Sequence, residues 1–310
     1  MVNTITLNPA IDKVFFVNEF KRNITNRIRD SKESIGGKGT HVSISLKLMG
    51  MGSRAFGLCH GENGHRIREI LASHDLEVHF IHRTYGNSRT NYVLVEDNGD
   101  TSLIAEKGMP FEEEDLSDLL DLMQKKVSPG DCLVLAGDAS NADPEISCRI
   151  IKELKAKGLK VFLDTSEKAL GKCVSLGPFL IKPNLDELSY LCGRKVSGNV
   201  DDVIEGVRSL SYNNIDVIAV SMGAGGSLLC TKEGIYQATP PDLEAKNTAG
   251  CGDALLAGLV YGYAKNLPVE ESLRLATGAA SAKAESLLSA GFDPGKLKTY
   301  AEKTIIKRIC

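Results

Sequence analysis

Residues 133–136 read LVLA, residues 144–158 read PEISCRIIKELKAKG, and residues 161–164 read VFLD. The first and last of these runs are short and apolar, as is typical of strands that are buried on both faces. The segment between them repeats apolar residues at the period of an amphipathic helix and ends in a glycine. A strand, a helix and a second strand in this order favour a parallel sheet with helices packed against it.

The same alternation continues toward the C-terminus. The further helix and strand patterns are Phe179-Leu-Ile181, Asn184 to Cys192, Asp201 to Leu210 and Val217-Ile-Ala-Val220. Parallel strands need long crossover connections, which helices usually supply. The predicted fold class is therefore α/β, a three-layer α/β/α sandwich around a mostly parallel central sheet.

Two pairs of segments break this rhythm and predict a small second sheet. They are Ile11 to Phe20 with Ser31 to Ile35, and Thr90 to Glu96 with Thr101 to Glu106. Asp97-Asn-Gly-Asp100 joins the second pair and is a strong hairpin signal. We expect one domain over residues 1–310, with a lid drawn from about residues 11–35 and 90–106. A small sheet of this kind serves as a lid or a dimer contact, and the expected assembly is a homodimer through the lid.

Composition excludes several classes of protein. The chain has 310 residues, 42% apolar and 25% charged content, and a net charge of −3, so no extended nucleic-acid-binding face is implied. No stretch approaches the roughly 20 apolar residues that span a bilayer, and the first residues do not resemble a signal peptide. We therefore expect a cytoplasmic protein whose partners include neither nucleic acid nor membrane.

A glycine turn near the C-terminal end is a candidate anion site. Asn247-Thr-Ala-Gly-Cys-Gly-Asp253 precedes the apolar run Ala254 to Val260. The two glycines let the backbone turn tightly, so that free amides at a helix N-terminus converge on negative charge. Asp253 would then stand beside a bound anion, where a carboxylate is costly unless it accepts a proton from an attacking hydroxyl. The structural alternative is an acidic residue that interacts favourably with the helix dipole.

The cysteines favour a reducing environment. All eight are scattered, without a C-x-x-C pair or a histidine at metal-ligand spacing, and are expected to be reduced and mostly buried. Cys251 is the exception, because a thiol at a helix N-terminus is expected to have a lowered pKa and to react readily.

Two further glycine-rich segments are expected at the ends of strands of the main sheet. Ser34-Ile-Gly-Gly-Lys-Gly-Thr-His41 leads into a helix predicted from Val42 to Gly50, and Ser221-Met-Gly-Ala-Gly-Gly226 follows a predicted strand. Ligands of open α/β sheets collect at the carboxyl ends of strands, so the second loop is well placed for a nucleotide. Neither loop has the Walker A spacing or a complete dinucleotide fingerprint, which removes the main support for a dehydrogenase.

Five motifs occur in the order and spacing of the ribokinase-like, or PfkB-type, carbohydrate kinases. They are Asn8-Pro-Ala-Ile-Asp12, Gly36-Gly-Lys-Gly39, Lys182-Pro-Asn-Leu-Asp-Glu-Leu188, Ser221-x-Gly-x-Gly-Gly226 and Asn247-Thr-x-Gly-x-Gly-Asp253. The chain resembles most the branch that holds 1-phosphofructokinase and tagatose-6-phosphate kinase, from residue 3 to about residue 295. The resemblance implies a ribokinase-like fold and an ATP- and Mg²⁺-dependent sugar kinase.

At the nucleotide end, the resemblance implies that Asp253 is the general base for a sugar hydroxyl. The amides expected to form an anion hole for the γ-phosphoryl group belong to Ala249, Gly250, Cys251 and Gly252. The expected ATP-binding residues are Lys182, Asn184, Ser221, Gly223, Gly225, Gly226, Gly252 and Ala279. Ala279 lies in a segment of small residues, Gly278 to Ala282, for which tight helix packing is the alternative. Asn184 and Glu187 are expected to position Mg²⁺, often through water, although this pair at this spacing also suits a helix cap.

At the sugar end, the resemblance implies a second set of contacts. The expected substrate-binding residues are Asp12, Gly37, Lys38, His41, Arg89, Arg27 and Asp138. Asp12 is expected to bond sugar hydroxyls, and the three basic residues to contact a substrate phosphate.

Several positions depart from the branch that this chain resembles, among them Thr40, where an apolar residue is usual. His41 stands where an asparagine usually bonds sugar hydroxyls, Asp138 where a serine usually lies near the substrate phosphate, and Glu167 where glycine is usual. The predicted reaction is phosphoryl transfer to a ketohexose phosphate, with fructose 1-phosphate first and tagatose 6-phosphate second. The alternatives are an unphosphorylated sugar or nucleoside as acceptor, and a non-catalytic sensor of sugar phosphates or nucleotides.

Overall fold

The computed structural model describes residues 1–137, 140–165, 167–210 and 214–309. Within these residues the strands are β1 (Val2–Thr6), β2 (Ala10–Val17), β3 (Asp30–Gly36), β4 (Ser53–His60), β5 (Glu77–Arg83), β6 (Arg89–Glu96), β7 (Thr101–Ala105), β8 (Cys132–Ala136), β9 (Lys160–Asp164), β10 (Leu180–Ile181), β11 (Val217–Ser221), β12 (Ser227–Thr231), β13 (Gly234–Thr239) and β14 (Ile305–Arg308). The helices are α1 (Lys38–Leu48), α2 (Gly61–Ser73), α3 (Glu113–Gln124), α4 (Pro144–Ala156), α5 (Glu167–Cys173), α6 (Leu185–Cys192), α7 (Val200–Ser209), α8 (Cys251–Ala264), α9 (Val269–Ala284) and α10 (Pro294–Lys303).

The described strands form a large sheet and a small sheet. The large sheet has the order β14-β13-β12-β11-β10-β9-β8-β1-β4-β5, and the strands from β11 to β5 all pair in parallel. Strands β11 to β14 pair in antiparallel fashion at one edge. The predicted α/β class with a mostly parallel sheet is confirmed, whereas the antiparallel edge was not predicted.

Side chains alternate between the two faces of the large sheet and bury helices on both. On β8, Leu133 and Leu135 belong to the hydrophobic cluster that includes residues of α3, α4, α5, α6 and α7. Their neighbours Cys132 and Val134 belong to a second cluster, which includes residues of α1, α8 and α9. This alternation is what a strand with period two requires when both faces are covered. The three-layer arrangement follows from it.

The small sheet contains the four strands predicted for the lid, in the order β3-β2-β6-β7. The predicted hairpin is present: the Glu96 N–H donates to the Asp100 carbonyl at 2.9 Å, and Gly99 has a φ of +88°. Strand β2 ends at Val17, three residues before the predicted end at Phe20. Valine and phenylalanine side chains of the small sheet pack with Leu287 of the main body, so the two parts are in contact.

The sequence suggested that the first glycine-rich segment follows a strand of the main sheet. This is wrong, because the segment follows a strand of the small sheet. Ser34, Ile35 and Gly36 end β3 of the small sheet, where Gly36 pairs with Ala10. Helix α1 then begins at Lys38 rather than at Val42, because Gly37 has a φ of +108° and turns the chain out of the strand. The segment therefore connects the small sheet directly to a helix of the main body.

Two other expectations from composition can be compared with the structure. Among the described residues, no helix combines the length and apolar character that a membrane span requires. The cytoplasmic location stays a prediction. Five of the seven described cysteines are buried, and Cys310 lies outside the described residues.

Candidate active site

The predicted anion turn starts α8 and is fixed by tight packing. Gly250 has a φ of +84°, and a Cβ atom at this position would lie 2.2 Å from the carbonyl oxygen of Ser289. Asn247, which is fully buried, accepts a hydrogen bond from the Ala249 N–H at 2.9 Å and donates to the Leu287 carbonyl at 3.0 Å. Only glycine fits the turn at position 250, and the buried amide of Asn247 holds its shape.

Two of the four amides expected in the anion hole are occupied within the turn. The Ala249 N–H bonds Asn247, and the Cys251 N–H donates to the Thr248 carbonyl at 3.2 Å. The N–H groups of Gly250 and Gly252 make no hydrogen bond to any described residue. These two amides at a helix N-terminus are therefore the donors available to an anion.

The lowered pKa that the sequence suggested for the Cys251 thiol is wrong. Burial raises the pKa of the Cys251 thiol to about 11, and this exceeds the opposing effect of the Lys283 charge. Loss of hydration disfavours the thiolate more than the helix N-terminus favours it.

Asp253 lies in the first turn of α8 and is buried against His41. Its Oδ2 atom is 2.7 Å from His41 Nδ1, and the other ring nitrogen, Nε2, is 2.8 Å from the carbonyl oxygen of Ile35. Both ring nitrogens of His41 are therefore engaged with the chain. This geometry differs from the expectation that His41 bonds a sugar hydroxyl, because neither nitrogen is left for one.

A buried carboxylate joins the two lysines that the motifs singled out. Asp164, at the end of β9, lies 3.0 Å from Lys38 Nζ through Oδ1 and 3.0 Å from Lys182 Nζ through Oδ2. The Asp164 side chain is 0% exposed, that of Lys182 is 5% exposed and that of Lys38 is 35% exposed. Lys182 is thus mainly internal, whereas Lys38 is accessible to a ligand.

The charges around this cluster determine its protonation. Burial opposes ionisation of Asp164, but the charges of Lys182 and Lys38 outweigh it and lower the pKa of Asp164. Burial likewise lowers the pKa of Lys38, and the charges of Asp164, Asp253 and Glu187 more than reverse this, so the net pKa is raised. Lys38 and Asp164 therefore both stay charged at neutral pH, and the Lys38 ammonium presents positive charge to the site.

A cavity of about 310 Å³ opens between the second glycine loop and α8. Four predicted ATP-binding residues line it, namely Ser221, Gly223, Gly226 and Gly252. The loop is tied back by a hydrogen bond from the Met222 N–H to the Gly226 carbonyl at 2.8 Å, while Gly225 lies in the 3₁₀ turn between them. The floor of the cavity is the start of α8, so an occupant would reach the anion turn.

The residues of helix α9 that line this cavity differ from the one expected. Ala279 is fully buried in a cluster with Ala254, Phe292 and Leu297, and it does not line the cavity. The cavity is lined instead by Thr277, Ala280, Ser281 and Ala284. These positions share one face of the helix because they are spaced by three or four residues. The predicted segment therefore lines the cavity through a different face of the helix, and its contact with ATP stays a prediction.

Asn184 and Glu187 form a reciprocal helix cap. The Glu187 N–H donates to Asn184 Oδ1 at 2.8 Å, and the Asn184 N–H donates to Glu187 Oε2 at 2.9 Å. The structural alternative considered for this pair is therefore realised at the start of α6. Burial raises the pKa of Glu187, against the lowering effect of the Lys38 charge.

The metal-ligating groups near Glu187 fit a cation that keeps most of its water ligands rather than one coordinated mainly by protein side chains. No group of three metal-ligating side chains occurs among the described residues. Glu187 Oε1 accepts no hydrogen bond from these residues, so one carboxylate oxygen remains for an ion that keeps its waters.

The sugar end contains one unexpected partner. Asp12 is buried, and its Oδ1 atom accepts a hydrogen bond from Asn91 Nδ2 at 2.9 Å. Arg89 is also buried and donates through Nε to the Asn8 carbonyl at 3.2 Å. Arg27 is exposed on the connection between β2 and β3, where it lines a separate open cavity with its loop neighbours. Asp138 lies outside the described residues.

Comparison with known proteins identifies the family. The model of the pfkB family of carbohydrate kinases matches residues 5–292. The chain belongs to this family. The pfkB-family kinase described here is therefore an enzyme that phosphorylates a sugar, with ATP as the phosphoryl donor.

Individual relatives agree with the family assignment. This kinase is 34% identical to the 1-phosphofructokinase of Bacillus subtilis, over 92% of its own length and 93% of the relative's. It is 32% identical to the 1-phosphofructokinase of Vibrio cholerae, over 97% and 95%. Phosphofructokinase-2 of Escherichia coli, solved in complex with substrates and products, superposes with a TM-score of 0.90 at 22% identity, over 97% of this chain and 98% of that one. The last comparison confirms the ribokinase-like fold.

Sequence reasoning missed Asp164 and Asn91 as parts of this site. Asp164 was assigned only to the end of a predicted strand, although an acidic residue at the carboxyl end of a buried strand is a usable signal. Asn91 follows Arg89 by two residues on β6, so both lie on the same face of the lid strand. That periodicity, read from Arg89, is the signal that could have found Asn91.

Proposed function

We propose that this kinase transfers the γ-phosphoryl group of ATP to a hydroxyl of fructose 1-phosphate, with Asp253 as the general base. The observation that carries the proposal is the position of Asp253. It follows Cys251 and Gly252, which line the nucleotide cavity, and it contacts His41, whose helix α1 begins beside the lid. A carboxylate at this junction is in reach of both substrates.

Each step of the transfer has a candidate group. The acceptor hydroxyl gives its proton to Asp253 while its oxygen attacks the γ-phosphorus and ADP departs. The amides of Gly250 and Gly252 and the ammonium of Lys38 stabilise the charge on the transferring group. Lys182 lies beside the anion turn, since a Cβ atom at Gly252 would be 3.3 Å from its Nζ atom. Its positive charge would stabilise the phosphates of ATP at the anion turn.

The choice of a phosphorylated ketose rests on the relatives and on charge. Two relatives at 34% and 32% identity are named 1-phosphofructokinase. The Lys38 side chain is 35% exposed, so its positive charge is accessible at this end of the site and favours anionic substrates. Mg²⁺ would bind with ATP near Glu187 and supply charge neutralisation of the phosphates.

A coupled ADP-release assay over a panel of acceptors tests the proposal. The panel contains fructose 1-phosphate, tagatose 6-phosphate, fructose 6-phosphate, fructose, ribose and adenosine. We expect the highest kcat/KM with fructose 1-phosphate. A higher value with tagatose 6-phosphate or with an unphosphorylated acceptor would reject fructose 1-phosphate as the substrate but not the kinase activity. Activity that survives Asp253→Asn would reject Asp253 as the general base.

The lid is also the proposed contact of a homodimer. Its exposed apolar side chains include Ile24, Ile28, Leu103 and Ile104, and burial of such side chains in a subunit contact would remove apolar surface from water. A solved form of Escherichia coli phosphofructokinase-2 is described as tetrameric. Light scattering after gel filtration distinguishes the states: we expect a dimer that Ile104→Glu dissociates, whereas a monomeric parent protein would contradict the proposal.

A further inference from the structure

His41 is surrounded by hydrogen-bond acceptors on both sides of its ring. Nε2 faces the carbonyl oxygen of Ile35 at 2.8 Å, and Nδ1 faces the carboxylate oxygen of Asp253 at 2.7 Å. A carbonyl oxygen only accepts, so Nε2 carries a proton. A neutral imidazole has one N–H and would then present a lone pair to Asp253. Only the doubly protonated ring satisfies both contacts while Asp253 is ionised.

The proton in the contact with Asp253 belongs to the imidazole. Imidazole is ordinarily more basic than a carboxylate by about 2–3 pH units. Burial would lower the pKa of His41, but the hydrogen bond and charge of Asp253, together with the charge of Asp12, raise it overall. The contact is therefore an imidazolium–carboxylate pair at neutral pH.

The groups that face this pair come from several elements. Asp12 of β2 acts on His41, and the Ile35 carbonyl of β3 accepts from it. Lys38 of α1 and Lys283 of α9 are the cations whose charges interact with Asp253. Lys283 is held away from the carboxylate by its own bond from Nζ to the Asn247 carbonyl at 3.2 Å. Among the described residues, His41 is the side chain that donates a hydrogen bond to Asp253.

We propose that His41 is a positioning residue whose protonated ring holds the Asp253 carboxylate in the orientation that acts as the base, a role that rests on the kinase function proposed above. Oδ2 is occupied by the ring, and Oδ1 accepts no hydrogen bond from the described residues. The acceptor hydroxyl transfers its proton to Oδ1 as its oxygen bonds the γ-phosphorus and the bond to ADP breaks. The proton on Nδ1 stays in place throughout. His41 thus orients the base and does not bind the sugar.

The first test reads the protonation state without turnover. The chain has six histidines, so nitrogen-15 NMR correlation spectra resolve their rings, and the spectrum of His41→Asn assigns the missing signal. We expect both nitrogens of His41 to be protonated at pH 7.5 and the ring to lose a proton at neutral pH in Asp253→Asn. A ring that is singly protonated at pH 7 in the wild type overturns the proposal, whatever the acceptor specificity of the enzyme.

The second test uses two variants that each keep one of the ring's contacts. His41→Asn keeps a donor near Nδ1, toward Asp253, and His41→Gln keeps a donor near Nε2, toward Ile35. With the best acceptor of the panel, we expect His41→Gln to lower kcat by about tenfold or more, with KM values for both substrates within about threefold of wild type. We expect His41→Asn to retain more of kcat than His41→Gln at pH 7.

The pH profile separates positioning from simple support of the fold. In the wild type, kcat falls on the alkaline side as the ring loses the Nδ1 proton and a lone pair faces the carboxylate. An amide does not titrate, so this fall is absent in His41→Asn. A raised sugar KM with unchanged kcat in His41→Gln would instead make His41 a sugar ligand, and an unchanged alkaline fall in His41→Asn would assign that fall to another group. Either result overturns the proposal.

Discussion

The Nζ atom of Lys182 lies 3.0 Å from Oδ2 of Asp164, and both side chains are almost completely buried. Asp164 is bonded on its other oxygen to Lys38, so a single carboxylate sets the positions of two ammonium groups. A buried ion of this kind is costly when it loses its partner, even where the pair itself adds little stability.

We expect Asp164→Asn to lower the free energy of unfolding by about 3 kcal/mol, because it leaves Lys182 charged and buried without compensation. Urea denaturation followed by circular dichroism measures this. The double variant Asp164→Asn, Lys182→Met is the control, since removing the stranded ammonium is expected to recover part of the loss. If Asp164→Asn and the double variant are equally unstable, charge is not the cause.

Asp253→Asn is expected to lower kcat by at least about a hundredfold, because an amide cannot accept the hydroxyl proton. ATP binding is expected to change little, since Asp253 is not among the residues that line the nucleotide cavity. Steady-state kinetics and calorimetric titration with ATP measure the two quantities. Turnover close to that of the wild type would remove Asp253 from the role of base.

Most of the helices and strands in the central part of the chain could be predicted from the sequence, whereas side-chain contacts between residues far apart in the sequence could not. The strands and helices from residue 132 to residue 221 other than α5, which was not predicted, and the four lid strands follow from periodicity and from the Asn98-Gly99 turn. Strand β1 was missed because buried polar residues, such as Asn3 and Thr4, interrupt its apolar pattern. The bond between His41 and Asp253 joins residues 212 positions apart, and a single sequence contains no signal for such a contact.

Gly226→Ala is expected to damage the nucleotide loop. Gly226 has a φ of +87°, and a Cβ atom there would lie 2.0 Å from the Ala238 carbonyl oxygen. We expect a loss of at least about 2 kcal/mol in unfolding free energy and a rise of about tenfold in the KM for ATP. Gly50→Ala is the matched control, because Gly50 has a φ of +80° with nothing within 4 Å of the added Cβ atom. Equal losses in the two variants would assign the effect to backbone conformation alone.

Glu187→Gln is expected to lower activity without lowering the free energy of unfolding. Burial raises the pKa of Glu187, and the charge of Asp164 adds to this against the opposing charges of Lys38 and Lys182. Below the ordinary glutamate pKa, the folded and unfolded states both hold the proton. As the pH rises, the unfolded state releases its proton first. The free energy of unfolding therefore falls as the pH rises from the ordinary glutamate pKa to the higher pKa of the folded state. Ionised Glu187 therefore costs folding free energy at neutral pH.

The glutamine variant removes that cost and keeps the cap, since an amide oxygen still accepts from the Asn184 N–H. We expect its unfolding free energy at pH 7.5 to equal or exceed that of the wild type, with the difference vanishing at acid pH. The kcat/KM for MgATP is expected to fall by about 10- to 100-fold, because the carboxylate oxygen available to hydrated Mg²⁺ is gone. Asp186→Asn, an exposed change of the same type in the first turn of α6, is the control and should leave both quantities near wild type. A destabilised Glu187→Gln enzyme with full activity would contradict both the electrostatic argument and the metal assignment, because the carboxylate would then serve only the fold.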